Sequence, residues 1–370
     1  MIVRFLTQND VVEHDKVTSQ AFSYACDIND PSSVLPCPNV LGAFDGDNKT
    51  LLADFEINER KCNYDGGILT CAAVGGVAAK PEHRGKGAVK ALFRYLFEQT
   101  DYDISILYPF SETYYRNFGY ERAGYSVCAT IPFSEISGIG RNHDVTLYEG
   151  NSTEQLLALY NRCARQYSLS FVRENAEAFS GEPYLSKSYT YIWKNNAFAT
   201  IGIDRENSVI LVKELYFDSC ESMQGIIGFL RNFESNQKSI CFQNIPANSP
   251  LLGFLRDMKN CDIKMYNTGS VRILNVEKVL RAHQYPAREG AFTLRIDDDT
   301  FKVTVSANGV ETEKNNVFEP DVIMDISTAS QLLLCGFSQA EYIPRLTVRN
   351  PQSDFFRLFP PRSVFFSDCF

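Results

Sequence analysis

The segment Val74–Phe97 constrains the fold of this chain more than any other part of it. Small and β-branched residues run to Ala79 and predict a buried strand, which Pro81 ends. A basic, glycine-rich stretch follows, Arg84-Gly85-Lys86-Gly87. Apolar residues then recur at helical spacing: Val89, Leu92, Phe93, Leu96 and Phe97. Because a glycine-rich turn before a helix start directs unpaired backbone N–H groups toward an anion, the segment predicts a site for a phosphate-bearing ligand.

Two common phosphate-binding loops do not fit this segment. A P-loop requires Gly-x-x-x-x-Gly-Lys-Ser/Thr, but Ala88 and Val89 follow Gly87. A Rossmann loop requires Gly-x-Gly-x-x-Gly, but Lys90 occupies the place of the third glycine. The pattern that remains, Val-x-x-x-Pro-x-x-Arg-x-x-Gly-x-Val, resembles the pyrophosphate loop of the GNAT acetyltransferases, which bind acetyl-CoA. It departs from that family at Val89, where glycine or alanine is usual.

The resemblance implies that this segment binds acetyl-CoA as a co-substrate. Backbone N–H groups of Val77 and Ala79 would bind the pantetheine and polarise the thioester carbonyl, and the loop from Arg84 to Lys90 would hold the pyrophosphate. The cofactor-binding residues implied in this way are Val77, Ala78, Ala79, Arg84, Gly85, Lys86, Gly87, Ala88, Val89, Lys90 and Ser111. The alternative is an ordinary strand, turn and helix with two glycines.

A second motif lies after the next predicted strand, Ile104–Tyr108. The string Tyr-x-x-Phe-Gly-Tyr, from Tyr115 to Tyr120, is similar to one in the enhanced-intracellular-survival (Eis) family of GNAT acetyltransferases. The resemblance implies that Tyr115 is the general acid that protonates the leaving thiolate, with Tyr114 in the wall of the site. The alternative is that both are packed aromatic residues in a chain with 19 tyrosines.

The end of the chain is unusually aromatic and closes on Phe370. In the Eis family, the C-terminal carboxylate of a final aromatic residue reaches the active site and serves as the general base. The resemblance therefore implies this role for Phe370, with Asp368 as the alternative base. A purely structural alternative is an apolar strap that packs the domains together.

The element pattern predicts a mixed α/β fold in three regions. Residues 1–136 form the predicted catalytic GNAT domain. Residues 137–266 repeat its pattern as a degenerate GNAT-like domain, in which the acidic Asp218-Ser219-Cys220-Glu221 replaces the basic loop. Residues 267–370 resemble the sterol-carrier-like α+β domain of the Eis family and include a predicted helix capped by Ser327.

Composition limits the partners of this chain. The formal net charge of −9 argues against nucleic acid as the main partner and suits a cationic amine. No apolar run reaches about 18 residues, so we expect no membrane span. The eleven cysteines are odd in number and scattered, which predicts reduced thiols in a cytoplasmic protein. No metal is implied, and His14, His143 and His283 have no evident catalytic neighbours.

These observations lead to one main hypothesis and three alternatives. The main hypothesis is an acetyl-CoA-dependent N-acetyltransferase that acts on a primary amine of an aminoglycoside, polyamine or lysine type. The Eis resemblance also implies a homo-oligomer, with a hexamer as the expected state. The alternatives are a catalytically inactive acetyl-CoA sensor, a lipid-binding protein and, more weakly supported by the motifs, an interaction scaffold.

Overall fold

Three β-sheets with helices packed against them form the described part of the chain, which confirms the predicted α/β class. The computed structural model describes residues 1–22, 34–150, 152–179, 187–286, 289–336, 344–353, 355–368 and 370. Its helices are α1 (Val11–Phe22), α2 (Ala88–Gln99), α3 (Glu112–Arg116), α4 (Thr153–Ala164), α5 (Cys220–Leu230), α6 (Val276–Ala282), α7 (Ile326–Cys335) and α8 (Phe355–Leu358).

The first sheet has seven strands. Numbered along the chain and given in spatial order, they are β1 (Ile2–Phe5), β2 (Val40–Phe44), β3 (Leu51–Tyr64), β4 (Gly67–Ala79), β5 (Ile104–Leu107), β14 (Ser270–Ile273) and β6 (Glu121–Arg122). Neighbouring strands are antiparallel except for the pair β4–β5, which is parallel.

The second sheet repeats this arrangement. From one edge to the other its strands are β8 (Val145–Leu147), β9 (Tyr189–Trp193), β10 (Ala197–Asp204), β11 (Val209–Phe217), β12 (Ser239–Pro246), β7 (Tyr125–Pro132) and β13 (Asp262–Asn267). Its parallel pair, β11–β12, follows three antiparallel pairs as in the first sheet. The shared order supports the prediction of two tandem domains of one fold.

The third sheet has five strands. They are β17 (Gly309–Lys314), β16 (Asp299–Ser306), β15 (Gly290–Ile296), β18 (Val322–Met324) and β19 (Thr347–Val348). Helix α7 packs beside this sheet and begins at Ile326, where the Asp325 side chain accepts a hydrogen bond from the Thr328 N–H. The predicted cap at Ser327 is therefore wrong by two residues, because the carboxylate of Asp325 reaches the first-turn N–H groups.

Two strands cross between the predicted regions. Strand β7 precedes residue 136 but lies in the second sheet, and β14 follows residue 267 but lies in the first sheet. They cover the outer sides of β12 and β5, so neither of these strands has an open edge. The division at 136 and 266 stays a prediction of domain organisation.

The two faces of the first sheet bury different residues. Ala53, Phe55 and Ile57 of β3 pack in one core with Leu92 and Phe93 of α2. Ala78 of β4 packs on the other face in a smaller core with Val17 of α1. Because side chains alternate along a strand, α1 and α2 cover opposite faces of the sheet.

Among the described residues, none of the helices has the length and hydrophobicity needed to cross a membrane. The nine described cysteines are free thiols.

Candidate active site

The glycine-rich loop and the start of α2 form an open site with positive electrostatic character. Gly85 and Gly87 have φ angles of +77° and +84°, which glycine adopts readily and other residues rarely do. A Cβ at either position would meet no atom within 4 Å, so the loop is open on that side. Arg84 and Lys86 are exposed beside it. The unpaired N–H groups of the first helical turn and these two cations fit a pyrophosphate.

The corresponding helix of the second sheet is closed to such a ligand. At the start of α5, the Ser219 side chain accepts a hydrogen bond from the Ser222 N–H. Ser222 Oγ in turn donates to the carboxylate of Asp218 at 3.0 Å. The start of α5 therefore has a side-chain cap and a negative charge. At the equivalent place α2 has Gly87 as its N-cap residue, without a side-chain hydrogen bond to the helix.

A fork opens where β4 and β5 separate. The parallel pairing of these strands ends at Val74 and Leu107, and β14 covers the far side of β5. One residue later, β4 contains an irregularity: its pairing with β3 slips by one residue, and Gly76 has a φ of +58°. Such a bulge bends the strand and moves its edge away from the neighbouring strand.

The chain end lies in this fork. The Phe370 ring stacks on Tyr108, the first residue after β5, with ring centroids 5.0 Å apart. The carboxyl carbon of Phe370 lies 3.2 Å from the position that a Cβ would take on Gly75, the first residue of β4 beyond the pairing. One terminal residue thus contacts both strands at the point where they part.

The residues from Arg362 to Asp368 form a tail that leads to Phe370, and several contacts hold this tail in place. Both carboxylate oxygens of Asp368 accept hydrogen bonds from Arg173 at 3.0 Å, and the Asp368 carbonyl accepts one from the Tyr108 hydroxyl at 2.9 Å. Farther back, Val364 pairs with Ser168 in a short parallel bridge. Asp368, the alternative base, therefore anchors the tail through the same oxygens that would have to accept a proton.

Tyr115 lies at the far end of the short segment that begins with Tyr108 after β5. Its side chain is 3% exposed, and its ring contacts Phe110 edge-on at 5.4 Å between centroids. Burial, together with the neighbouring Tyr114, raises the pKa of the Tyr115 phenol well above its usual value. Residues 108–110 thus connect the two predicted catalytic groups, since Phe370 contacts the loop at one end and Tyr115 at the other.

The other predicted residues fall into local structural positions. Ser111 caps α3, the helix that carries Tyr115, by accepting a hydrogen bond from the Tyr114 N–H. Val77 and Ala79 pack toward α2, whereas Ala78 is buried on the α1 face. The side chain of Val89 packs into the α2 core, so its branched carbon faces the protein interior.

Comparison with known proteins agrees with this geometry. Residues 3–123 match the family model described as an acetyltransferase (GNAT) domain. They form an acetyltransferase domain of the GNAT type. The match covers β1–β6 and α1–α3, and therefore includes the loop, the fork and Tyr115 but not the chain end. A search of curated protein sequences gave no match.

Solved structures resemble the chain over its full length. A GCN5-related N-acetyltransferase from Anabaena variabilis is 20% identical, with 100% of each chain covered and a TM-score of 0.83. Eis1 from Mycobacterium abscessus is also 20% identical, with 100% of each chain covered and a TM-score of 0.81. A probable N-acyltransferase of Enterococcus faecalis is 17% identical, covers 100% of this chain and 99% of its own, and has a TM-score of 0.85. At these identities the likeness establishes the fold of the GNAT domain and of the regions that follow it.

The GNAT domain also contains a polar pair that sequence reasoning missed. His14 on α1 donates to or accepts from Asp54 on β3, with Nδ1 and Oδ2 2.8 Å apart, although 40 residues separate them along the chain. The local sequence around His14 does not indicate this partner. The available signal was the alternation in β3, where Asp54, Glu56 and Asn58 are interleaved with apolar residues.

Proposed function

We propose that this protein is an acetyl-CoA-dependent N-acetyltransferase that transfers an acetyl group directly to a primary amine. The observation that carries the proposal is the position of the Phe370 carboxylate at Gly75, inside the fork of a GNAT domain. Acetyl-CoA supplies the activated acetyl group, and the open loop from Arg84 to Lys90 with the α2 start would hold its pyrophosphate. The Val77 and Ala79 N–H groups would contact its pantetheine.

In this proposal, the Phe370 carboxylate accepts the proton that the attacking amine loses. Tyr115 donates its hydroxyl proton to the leaving thiolate and recovers it from solvent after the products leave. The ring contacts of Phe370 with Tyr108 and of Tyr115 with Phe110 support this division of roles, because they bring a candidate base and a candidate acid to one short segment of the chain.

Several further parts of the hypothesis stay predictions. The acceptor class, whether an aminoglycoside, a polyamine or a lysine side chain, is one of them. The others are the cytoplasmic location, the hexameric homo-oligomer and the likeness of residues 267–370 to a sterol-carrier domain.

A screen of primary amines tests the proposed function. The full chain is incubated with acetyl-CoA and each amine in turn, and the release of free thiol is measured. We expect thiol release that depends on the amine, and the proposal fails if no amine gives release above background.

A variant pair tests the cofactor loop by calorimetric binding of acetyl-CoA. Gly87→Glu places negative charge against the pyrophosphate, so we expect affinity to fall by about 100-fold or more. Gly87→Ala carries the same backbone strain at positive φ without the charge, and it should retain most of the affinity. Equal binding by the two variants would contradict the loop assignment.

A further inference from the structure

A row of polar side chains runs along β3 toward the fork. Asp54, Glu56 and Asn58 lie at every second position, so they share the sheet face covered by α1, opposite the face covered by α2. The cofactor loop precedes α2. The row therefore lies on the sheet face opposite the helix that follows the cofactor loop.

Glu56 and the chain end approach neighbouring glycines of β4. A Cβ on Gly76 would meet Glu56 Oε1 at 2.9 Å, and a Cβ on Gly75 would meet the Phe370 carbonyl oxygen at 3.0 Å. The bulge at this point is what brings both positions to the same face. The carboxylate of Glu56 and that of the chain end therefore lie beside adjacent residues of β4.

Among the described residues no cation is in contact with Glu56, and the charge of His14 lowers the pKa of Glu56 by less than burial raises it. None of the described lysine, arginine or histidine side chains lies within ion-pair distance of it, and Lys80 pairs instead with Glu13 at 2.9 Å. The Glu56 side chain is half-buried, and burial raises its pKa above the usual value. A partly buried carboxylate without a cation is costly, and an incoming cation removes that cost.

Two atoms of the row are also without hydrogen-bond partners. Asn58 Nδ2 is buried 3.9 Å from the same Cβ position on Gly75. It lies close enough to Glu56 to help lower the pKa of that carboxyl, but it is not in hydrogen-bond geometry with any described acceptor. Asp54 is fully buried; its Oδ2 pairs with His14, whereas no described group donates to its Oδ1. Buried polar atoms are normally satisfied, so two unsatisfied atoms beside two carboxylates indicate a pocket that a ligand completes.

We propose that Glu56, together with the Phe370 carboxylate, binds the acceptor amine in its protonated form. A primary alkylamine has a pKa near 10.4, so the ammonium ion is the species that meets the enzyme at neutral pH. Its three N–H donors suit two carboxylates. Phe370 accepts the first proton and releases it to solvent, so that the free amine can attack and the same carboxylate can accept the second proton, which the nitrogen loses in the transfer. Glu56 retains its charge and acts as a specificity residue. This inference rests on the proposed acetyl transfer.

A binding measurement tests the inference independently of turnover. Butylguanidinium is a permanent cation that is not expected to react, and its affinity is measured by calorimetry for the wild type and for Glu56→Gln. We expect Glu56→Gln to weaken binding by about tenfold or more, because it removes one charge and keeps the shape of the side chain. Glu206→Gln, a control in an exposed turn of the second sheet, should bind as the wild type does.

Kinetics with a protonated and a neutral nucleophile give the second measurement. Glu56→Gln should raise the KM for butylamine by about tenfold or more and leave the KM for butyric hydrazide, whose terminal nitrogen is neutral at pH 7, unchanged. A melting temperature equal to that of the wild type shows that the variant is folded. Unchanged butylguanidinium affinity in Glu56→Gln overturns the inference, whereas failure of every amine to release thiol from the wild type overturns the proposed function instead.

Discussion

At the scale of single residues, Tyr115 shows how surroundings decide the chemistry of a side chain. Burial raises the pKa of its phenol above the usual value of about 10, so it stays protonated at neutral pH. A thiol has a pKa of about 8.5 in water, and the same dry surroundings raise that pKa as well. Because burial raises both pKa values, the raised pKa of the phenol does not by itself prevent proton transfer to a leaving thiolate.

Replacing Tyr115 by phenylalanine removes the hydroxyl proton and keeps the ring, so it tests the role of this proton. The substitution keeps the ring that packs against Phe110, so the fold and acetyl-CoA affinity should stay as in the wild type. We expect kcat with the best amine to fall by about 10²–10⁴-fold, the usual contribution of a positioned acid. Tyr114→Phe, at a half-buried position beside it, is the matched control and should lose less than about threefold. Equal losses in the two variants would count against Tyr115 as the acid.

At the scale of elements, the tail and the bulge of β4 position each other. Gly75 has no side chain, and this absence makes room for the terminal carboxylate. The tail is held before that point by Asp368 on Arg173 and by Val364 on Ser168. The carboxylate is therefore placed by backbone geometry on one strand and by an ion pair to residues that follow α4.

Two kinds of change should displace this carboxylate and lower turnover. Extending the chain beyond Phe370 moves the terminal charge, and Gly75→Ala moves the carboxylate by a smaller amount because the new Cβ would lie 3.0 Å from its oxygen. We expect the extension to lower kcat by about 10²–10⁴-fold and Gly75→Ala to lower it by less, both with acetyl-CoA affinity retained. Gly46→Ala, at a turn where a Cβ meets nothing within 4 Å, is the control and should have no effect. An extended chain as active as the natural one would exclude the Phe370 carboxylate as the base.

Local signals in the sequence accounted for most elements but not for their pairing. Helix α1 runs from Val11 to Phe22, and the spacing of its apolar residues is a local signal for a helix. Strand β3 runs from Leu51 to Tyr64, beyond the alternating apolar residues that end at Ile57. The hairpin turn Asp65-Gly66 was a usable signal for this extension, since both residues have positive φ angles in the structure.

The parts of the site that sequence could not supply depend on long-range contacts. The loop Arg84–Gly87 is contiguous, so its glycines and charges were visible in one segment. Most of the chain separates Gly75 from Phe370 in sequence. Only the family resemblance predicted that Phe370 contributes to the active site. Glu56 was missed because its importance comes from the β4 bulge opposite it and from the chain end, neither of which alters the local pattern of β3.

At the scale of the whole molecule, one buried core joins the first and third sheets. Residues of β3 and β4, such as Tyr64 and Leu69, pack in the same cluster as Phe292 and Leu294 of β15. At the edge of this core, Asp65, Arg362 and His283 form a hydrogen-bonded cluster, which we call the polar latch. Asp65, in the turn between β3 and β4, accepts two hydrogen bonds from Arg362 of the tail at 2.9 and 3.0 Å. It also contacts Nδ1 of His283, which follows α6.

This latch should make stability depend on pH in the acid range. Burial alone would raise the pKa of Asp65, but the hydrogen bonds of His283 and Arg362 outweigh burial and lower that pKa to about 2. A carboxyl whose pKa is about 3.9 in the unfolded chain and lower in the folded protein stabilises the fold above pH 4. Its contribution, about 2 kcal/mol, is lost as the pH falls from about 4 toward 2.

Asp65→Asn removes this contribution and tests it by denaturant unfolding at several pH values. At pH 7 we expect the variant to be less stable than the wild type by at least about 2 kcal/mol, because it also leaves Arg362 buried without its carboxylate. The difference in unfolding free energy should narrow between pH 4 and pH 2, where the wild-type carboxyl becomes protonated as well. Asp298→Asn, at an exposed aspartate in the turn between β15 and β16, is the control and should cost little at any pH. A deficit for Asp65→Asn that is the same at pH 7 and pH 2.5 would mean that packing of the turn, and not the charge of Asp65, holds the tail against the first and third sheets.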